Sequence, residues 1–317
     1  MKSNIELKQT RDFGEIISDC ILFIRQNWKG LLKTYFVFCG FFIAGTMLFS
    51  LLLRVKIINL HNTSTSGGVY SPYAIFGLEY FMVIIFGFLN GISAILCMLS
   101  YIALYAQNGR QAPSISDVWS YYKYYFWRSI GHALLLFIIF FVAIIVVAIP
   151  VAILSASGGG ANPFVIGVVM LICILVPILY FITVLSLFFP TVIIENGSFA
   201  YAFGKSFRLI KGKWWNTFGV IIVVGIIVYA GFLLVIIPFS ILSGGTVTFI
   251  SYNVSFPIVI IYTIMLSLCQ VLNILPLTAS AVTYFSYAEE KENIGLLERI
   301  DTLGKMDETT GSEDEVY

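Results

Sequence analysis

Six long apolar stretches constrain this chain more than any other feature. They are Tyr35–Leu53, Tyr80–Ala106, Ala133–Leu154, Phe164–Phe189, Phe218–Leu242 and Pro257–Phe285. A helix crossing about 30 Å of hydrocarbon needs roughly 20 mainly apolar residues, and each stretch supplies them. Polar or glycine-rich segments such as His61–Gly68, Ser155–Pro163 and Ser243–Ser255 lie between. Six such spans occupy close to half of the 317 residues, and the remainder is too short and broken for a separate soluble domain. An open sheet cannot satisfy its backbone in lipid. The expected fold class is therefore all-α integral membrane, with six transmembrane helices.

Charge agrees with this. Only 11% of the residues are charged, against roughly 25% in soluble domains, and the net charge is +1. A soluble globule, a disordered chain and a nucleic-acid binder are all excluded by that composition. The segment Met1–Asn27 carries Glu6, Asp12, Glu15 and Asp19 and has no apolar core before a small-residue cleavage site, so it is not read as a signal peptide. With the N-terminus inside, the 18 Lys and Arg residues all fall on one side except Arg54 and Lys56. The positive-inside rule then predicts a multi-pass protein of the cell inner (cytoplasmic) membrane with both termini cytoplasmic. The five cysteines, Cys20, Cys39, Cys97, Cys173 and Cys269, lie outside the expected external loops and form no CxxC or Cys/His cluster, so no disulfide, zinc or redox site is expected.

A repeated unit runs through the chain. Asn108-Gly109 precedes Trp127, Asn196-Gly197 precedes Trp215 at the same spacing, and Asn27 precedes Trp28. Each tryptophan stands ahead of an odd-numbered span, at a depth its amphipathic ring favours. The segments leading to them have helical periodicity: Phe13, Ile16, Ile17, Cys20 and Ile24 share one face, as do Ile115, Val118, Trp119 and Tyr122, and Phe199, Phe203, Phe207 and Ile210. Too polar to span, these helices are expected to lie in the interface plane. Three repeats of interfacial amphipathic helix plus helical hairpin follow: residues 1–107, 108–195 and 196–290. Residues 291–317 are expected to form a cytoplasmic amphipathic segment and an acidic tail. Trp28, Trp127, Trp215, Lys205, Arg208, Lys211 and Lys213 are the candidate membrane-interface residues.

Polar groups inside the spans are few, and intramembrane charge is costly enough to be diagnostic. Lys33, Glu79 and His132 read as interfacial. Asn90, Gln270 and Asn273 lie deeper, with the last two three residues apart on one helical face. They form either a candidate polar path between spans two and six or interhelical hydrogen bonds of a kind common in bundles. Pro150, Pro177, Pro238 and Pro276 can kink their helices. Glu289-Glu290 reads as a solvated helix cap. HExxH, GxSxG and P-loop patterns do not occur, so no enzyme activity, cofactor or metal is expected.

The segment Phe199–Ile222 carries Ala202, Ser206, Lys211, Gly212 and Trp215 in an A-x-x-x-S-x-x-x-x-K-G-x-x-W arrangement leading into a span. It resembles bacterial six-span membrane proteins that include the membrane domain attached to some glycerophosphodiester phosphodiesterases. At the other end of the chain, Tyr284–Ile300 resembles the ending of uncharacterised Bacteroidetes-type relatives. The phosphodiesterase catalytic domain has no counterpart here, so what the resemblance implies is a bacterial inner-membrane protein of unassigned role. The functional expectation is a non-enzymatic protein organising lipid or protein partners at the cytoplasmic face, with membrane lipids as one partner and a membrane protein as another. The alternative is a transporter of a small or lipidic molecule through a polar path between repeats.

Overall fold

The computed structural model describes residues 5–65, 72–156, 163–242 and 256–293. Among these residues there is no strand. The helices are α1 (Phe13–Thr65), α2 (Leu78–Gln107), α3 (Ile115–Ala156), α4 (Pro163–Leu185), α5 (Phe188–Ile194), α6 (Phe199–Ile210), α7 (Trp214–Leu242), α8 (Phe256–Cys269) and α9 (Ile274–Glu292). A 3-10 turn over Gln270–Asn273 joins α8 to α9. Six segments are long and apolar enough to cross a membrane, running Phe13–Leu60, Leu78–Gln107, Ile115–Val146, Leu171–Ile194, Trp214–Leu242 and Phe256–Glu292. The chain is a multi-pass helical membrane protein. Residues 294–317, most of the expected amphipathic segment and acidic tail, lie outside the described residues.

Local chemistry starts and stops the helices. At the head of α1 the Asp12 N–H donates to Glu15 Oε2 at 2.9 Å. Ser114 and Asp117 cap α3 reciprocally, the Ser114 N–H donating to Asp117 Oδ2 (3.2 Å) and the Asp117 N–H to Ser114 Oγ (3.3 Å), which satisfies donors that no helical carbonyl can reach. The turn between α2 and α3 uses left-handed backbone at Gly109 (φ 61°) and Arg110 (φ 69°). Asn293, at φ 50°, ends α9 in the left-handed cap that asparagine tolerates.

Two of the three expected interfacial helices are not separate elements. α1 runs unbroken for 53 residues, about 80 Å at 1.5 Å per residue, so the Trp28 segment and the first span are one rod. α3 likewise carries Trp127 and the third span in 42 continuous residues. The physical reason is local: neither junction contains a proline or a positive-φ glycine. Only the third unit breaks, at Lys211-Gly212-Lys213, where Gly212 has φ 85° and α6 turns into α7. The last two even-numbered spans are interrupted instead, at Ser186–Leu187 between α4 and α5 and at Gln270–Asn273.

Burial is concentrated in one half of the bundle, around α2 and α9. From Asn90 to Tyr105 nearly every residue of α2 is buried, and so is most of α9 from Thr278 to Ala288. Around them pack Ile16, Cys20, Phe23, Leu31 and Tyr35 of α1 and Phe188, Val192 and Ile193 of α5. Gly30 lets α1 and α2 meet closely, because a Cβ there would collide with the buried Tyr101 hydroxyl. α3 crosses this half from neighbour to neighbour. Its Trp119 and Tyr122 rings lie 5.8 and 4.8 Å from Phe38 of α1, and the Tyr122 hydroxyl donates to Ser93 Oγ of α2 at 3.1 Å. Further along, Arg128 reaches the segment between α5 and α6.

Candidate functional site

The packed half ends in a face where the ends of α2, α6 and α9 and the starts of α1, α3 and α7 converge. Arg11 ties the N-terminal segment there. Its N–H donates to Ser286 Oγ of α9 (2.9 Å), while its guanidinium donates to Asp19 Oδ2 (2.8 Å) and to the carbonyls of Leu7 (2.7 Å), Gln9 (3.1 Å) and Glu6. Arg110 pairs with Glu6 at 2.9 Å. Arg128 donates to Asn196 Oδ1 and to the Gly197 carbonyl, both at 2.6 Å. This is the basic face of the molecule.

At its centre stands α6. Asn196 at φ 52° turns the chain, and Ser198 caps the helix by accepting from the Tyr201 N–H. Ala202, Ser206, Leu209 and Ile210 are buried, and Phe199, Phe203 and Phe207 form a half-buried aromatic ladder with centroids 5.9 and 5.1 Å apart. Tyr180 and Phe181 of α4 meet that ladder at Phe207. The helix packs against α4, α5 and α9, with the small buried residues Ala202 and Ser206 beside the rings permitting close approach.

This placement corrects the reading of Lys205 as an interface cation. Lys205 is only 4% exposed. Its Nζ donates to Glu195 Oε1 at 2.6 Å and to Glu292 Oε2 at 2.5 Å. Tyr201 donates to Glu195 Oε2 (2.9 Å), and the Tyr284 hydroxyl donates to Glu195 Oε1. Arg208 reaches Glu292 Oε1 at 3.0 Å, and Lys291 caps the end of α6 through the carbonyls of Arg208 (2.7 Å) and Lys211 (2.9 Å). Burial works against the charged ammonium of Lys205, but its bonds to the two carboxylates outweigh that and hold its pKa above the usual lysine value. Lys213 pairs with Glu290 at 2.8 Å, and the hydrogen bond to that carboxylate raises its pKa too. Of the Glu289-Glu290 pair read as a solvated cap, Glu290 binds across helices to Lys213, as Glu292 does to Lys205 and Arg208. A cavity of about 270 Å³ opens beside this network, lined among others by Lys8, Gln107, Glu195, Tyr284 and Glu289.

The remaining candidates fall as follows. Trp28, Trp127 and Trp215 are 52%, 78% and 78% exposed, and Arg208 and Lys211 are exposed as well. Asn90, Gln270 and Asn273 come together: Asn90 Nδ2 donates to Gln270 Oε1 at 2.5 Å, and the Gln270 carbonyl accepts from Asn273 Nδ2 (2.9 Å) and from the Tyr35 hydroxyl (2.8 Å). The bonds from Asn273 and Tyr35 serve the Gln270 carbonyl at the 3-10 turn, and the Asn90–Gln270 bond joins two side chains. Asn90 Oδ1 is buried without a partner. None of the three lines the cavity at the basic face, nor a second cavity of about 490 Å³ between α4, α7 and α9. His132 is buried within the protein, with its ring 5.8 Å from Phe188 and 5.6 Å from Phe199 and with Nδ1 unpartnered. Glu79 pairs with Lys56 at 2.8 Å. Cys39 and Cys97, distant in sequence, bring their sulfurs to 3.8 Å. Among the described residues no group of three or more His, Cys, Asp or Glu could hold a metal ion.

Sequence reasoning misses Glu195 as the hub of this network. A signal for it is present: Glu195 is the one carboxylate between Asp117 and Glu289, and it stands a few residues ahead of a basic helix. A solitary acid in so long a stretch has to be placed against a cation.

Together these features define a polytopic helical membrane protein whose polar chemistry is gathered at one face. The chain belongs to the family described as a domain of unknown function (DUF7847), whose model matches residues 116–287, more than half of the sequence and everything from α3 into α9. No curated protein and no solved structure matches the chain. The match shows no link to glycerophosphodiester phosphodiesterases or to Bacteroidetes-type relatives; what it supports is membership of this family of unknown function.

Proposed function

We propose that this is a non-catalytic membrane protein that organises lipid or protein partners at its basic face, oriented toward the cytoplasm of a bacterial inner membrane. The observation that carries this reading is the contrast between a fixed polar interior and large side chains left exposed. Lys205 is locked in a buried carboxylate clamp, while Trp28, Trp127 and Trp215 stay more than half exposed. Exposed tryptophan together with exposed Arg208 and Lys211 is the chemistry that sits at a headgroup layer and meets anionic lipid or an acidic partner.

The test is crosslinking and affinity purification of the full chain from native membranes, scored for both co-purifying phospholipid and co-purifying protein. Arg208→Gln with Lys211→Gln, and separately Trp127→Ala with Trp215→Ala, are expected to weaken recovery while leaving the protein folded. Unchanged recovery with both double variants would overturn the reading. Lys205 is left out because its replacement would unsettle the fold.

A further inference from the structure

The 490 Å³ cavity between α4, α7 and α9 has a chemistry that selects its occupant. Four hydroxyls line it, those of Ser186, Thr217, Ser280 and Thr283. Each is already committed within the protein. Ser186 donates to the Thr183 carbonyl (2.7 Å), Thr283 to the Ala279 carbonyl (2.8 Å) and Thr217 to the Lys213 carbonyl (3.1 Å). Ser280 donates to the Ser186 carbonyl that the break between α4 and α5 sets free. With its hydroxyl protons committed within the protein, the wall offers mainly hydrocarbon to whatever enters, and a polar solute would find little to replace its water.

The setting is equally restrictive. Leu99, Val220, Val224 and Ala279 form a back wall that is 1–3% exposed, whereas Ile182 at the rim is 49% exposed. The cavity thus opens on the side of helices that are apolar all round, where the surroundings are lipid tails. Its volume lies in the range of ligand sites, roughly 300–1,000 Å³. An apolar cavity of about 150 Å³ takes one benzene ring, so this one accommodates about three times that much hydrocarbon, the size of a fatty acyl chain. Thr217 lies one turn into α7, so the end of the cavity it lines adjoins Lys213, Trp214 and Trp215, residue types suited to a headgroup.

We propose that this cavity seats one acyl chain of a bilayer phospholipid, with the headgroup at the start of α7. The seat does not depend on whether the basic face recruits partners, and no residue is shared between the two tests.

The experiment places the full chain in vesicles of phosphatidylcholine and phosphatidylglycerol that contain a phospholipid with a photoactivatable group on its acyl tail. Labelled peptides are then mapped. Val220 and Val224 are expected to be labelled although they are 3% and 2% exposed, since lipid that merely surrounds the protein cannot reach them. Gly225 lines the cavity, and a Cβ added there meets nothing within 4 Å, so Gly225→Leu fills the space with little strain. It is expected to abolish labelling at Val220 and Val224 and to leave the exposed Ile226 and Ile227 labelled as before. Val228→Phe fills the same cavity from another position and repeats the test should Gly225→Leu fail to assemble. Labelling confined to Ile226 and Ile227, or labelling of Val220 and Val224 that survives both variants, overturns the proposal. Equal labelling by a free fatty acid carrying the same tail overturns its assignment to phospholipid.

Discussion

The two halves of this molecule are built from similar residues and held by different physics. In the half that ends at the basic face, tyrosines 101, 105, 284 and 287 are almost fully buried and Lys205 bridges two carboxylates. In the other half, Phe137, Leu234, Ile241 and Leu242 are between 64% and 78% exposed, and α1 is tied to the start of α2 through the partly exposed pair Lys56–Glu79. α7 passes through both environments, with Thr217, Val220 and Val224 buried and none of the residues from Ile226 onward buried. Lipid tails are as apolar as leucine, so burying such a side chain against protein gains little over leaving it in the bilayer. Packing is therefore specified where polar groups and close backbone contacts demand it, which is in the basic half.

The largest expected effect tests that claim at its centre. Lys205→Met keeps the length and apolar stem of the side chain but strands Glu195 and Glu292 beside each other. Removing one partner of a buried ion pair costs roughly 3–5 kcal/mol, and the value here should lie toward the lower end because Glu292 is 25% exposed. Thermal unfolding of the detergent-solubilised protein measures it. A shift no larger than that of an exposed-site control would show that the clamp does not organise the basic half.

The opposite half should respond to a different question. Leu234 is 78% exposed within the fifth candidate span. If lipid surrounds it, Leu234→Ala should barely alter stability, because no packed neighbour is lost. Leu234→Lys should reduce membrane insertion, by about 2.5–3.5 kcal/mol on an insertion scale. Quantifying the membrane-integrated fraction of the two variants separates lipid exposure from exposure to water, where the lysine would be the better tolerated of the two.

How far sequence foresees such a molecule depends on the range of the interaction. The six spans are legible because about 20 apolar residues in a row leave few alternatives. The break between α6 and α7 is legible in Lys211-Gly212-Lys213. The continuity of α1 and α3 is not, because amphipathic periodicity says which face is apolar but not whether the axis bends after it. Asn90 and Gln270 can be suspected of meeting, being rare polar groups in long apolar spans. The partners of Lys205 cannot be read from periodicity, since Glu292 lies 87 positions away and a lysine on the polar side of a helical wheel looks the same whether it faces water or a carboxylate. Sequence pattern locates helices in a membrane; which of their polar atoms face each other is settled by tertiary packing.

The smallest effect sharpens the comparison within the basic face itself. Lys213 also meets a glutamate, but the two side chains are 34% and 38% exposed, and an exposed pair contributes about 0–1 kcal/mol. Lys213→Gln should accordingly shift unfolding only slightly. Its pKa is raised by Glu290 above the ordinary 10.5, so its contribution is complete below that value and is lost only as pH rises through the higher folded one. The Lys213→Gln difference should therefore stay flat from neutral pH up toward 10.5. Salt should act otherwise: at about 1 M the screening length falls to about 3 Å, which weakens exposed pairs and leaves buried ones largely intact. High salt is expected to erase the Lys213→Gln difference and preserve that of Lys205→Met. Equal loss of both differences in salt would mean that the Lys205 clamp is as open to water as its neighbour.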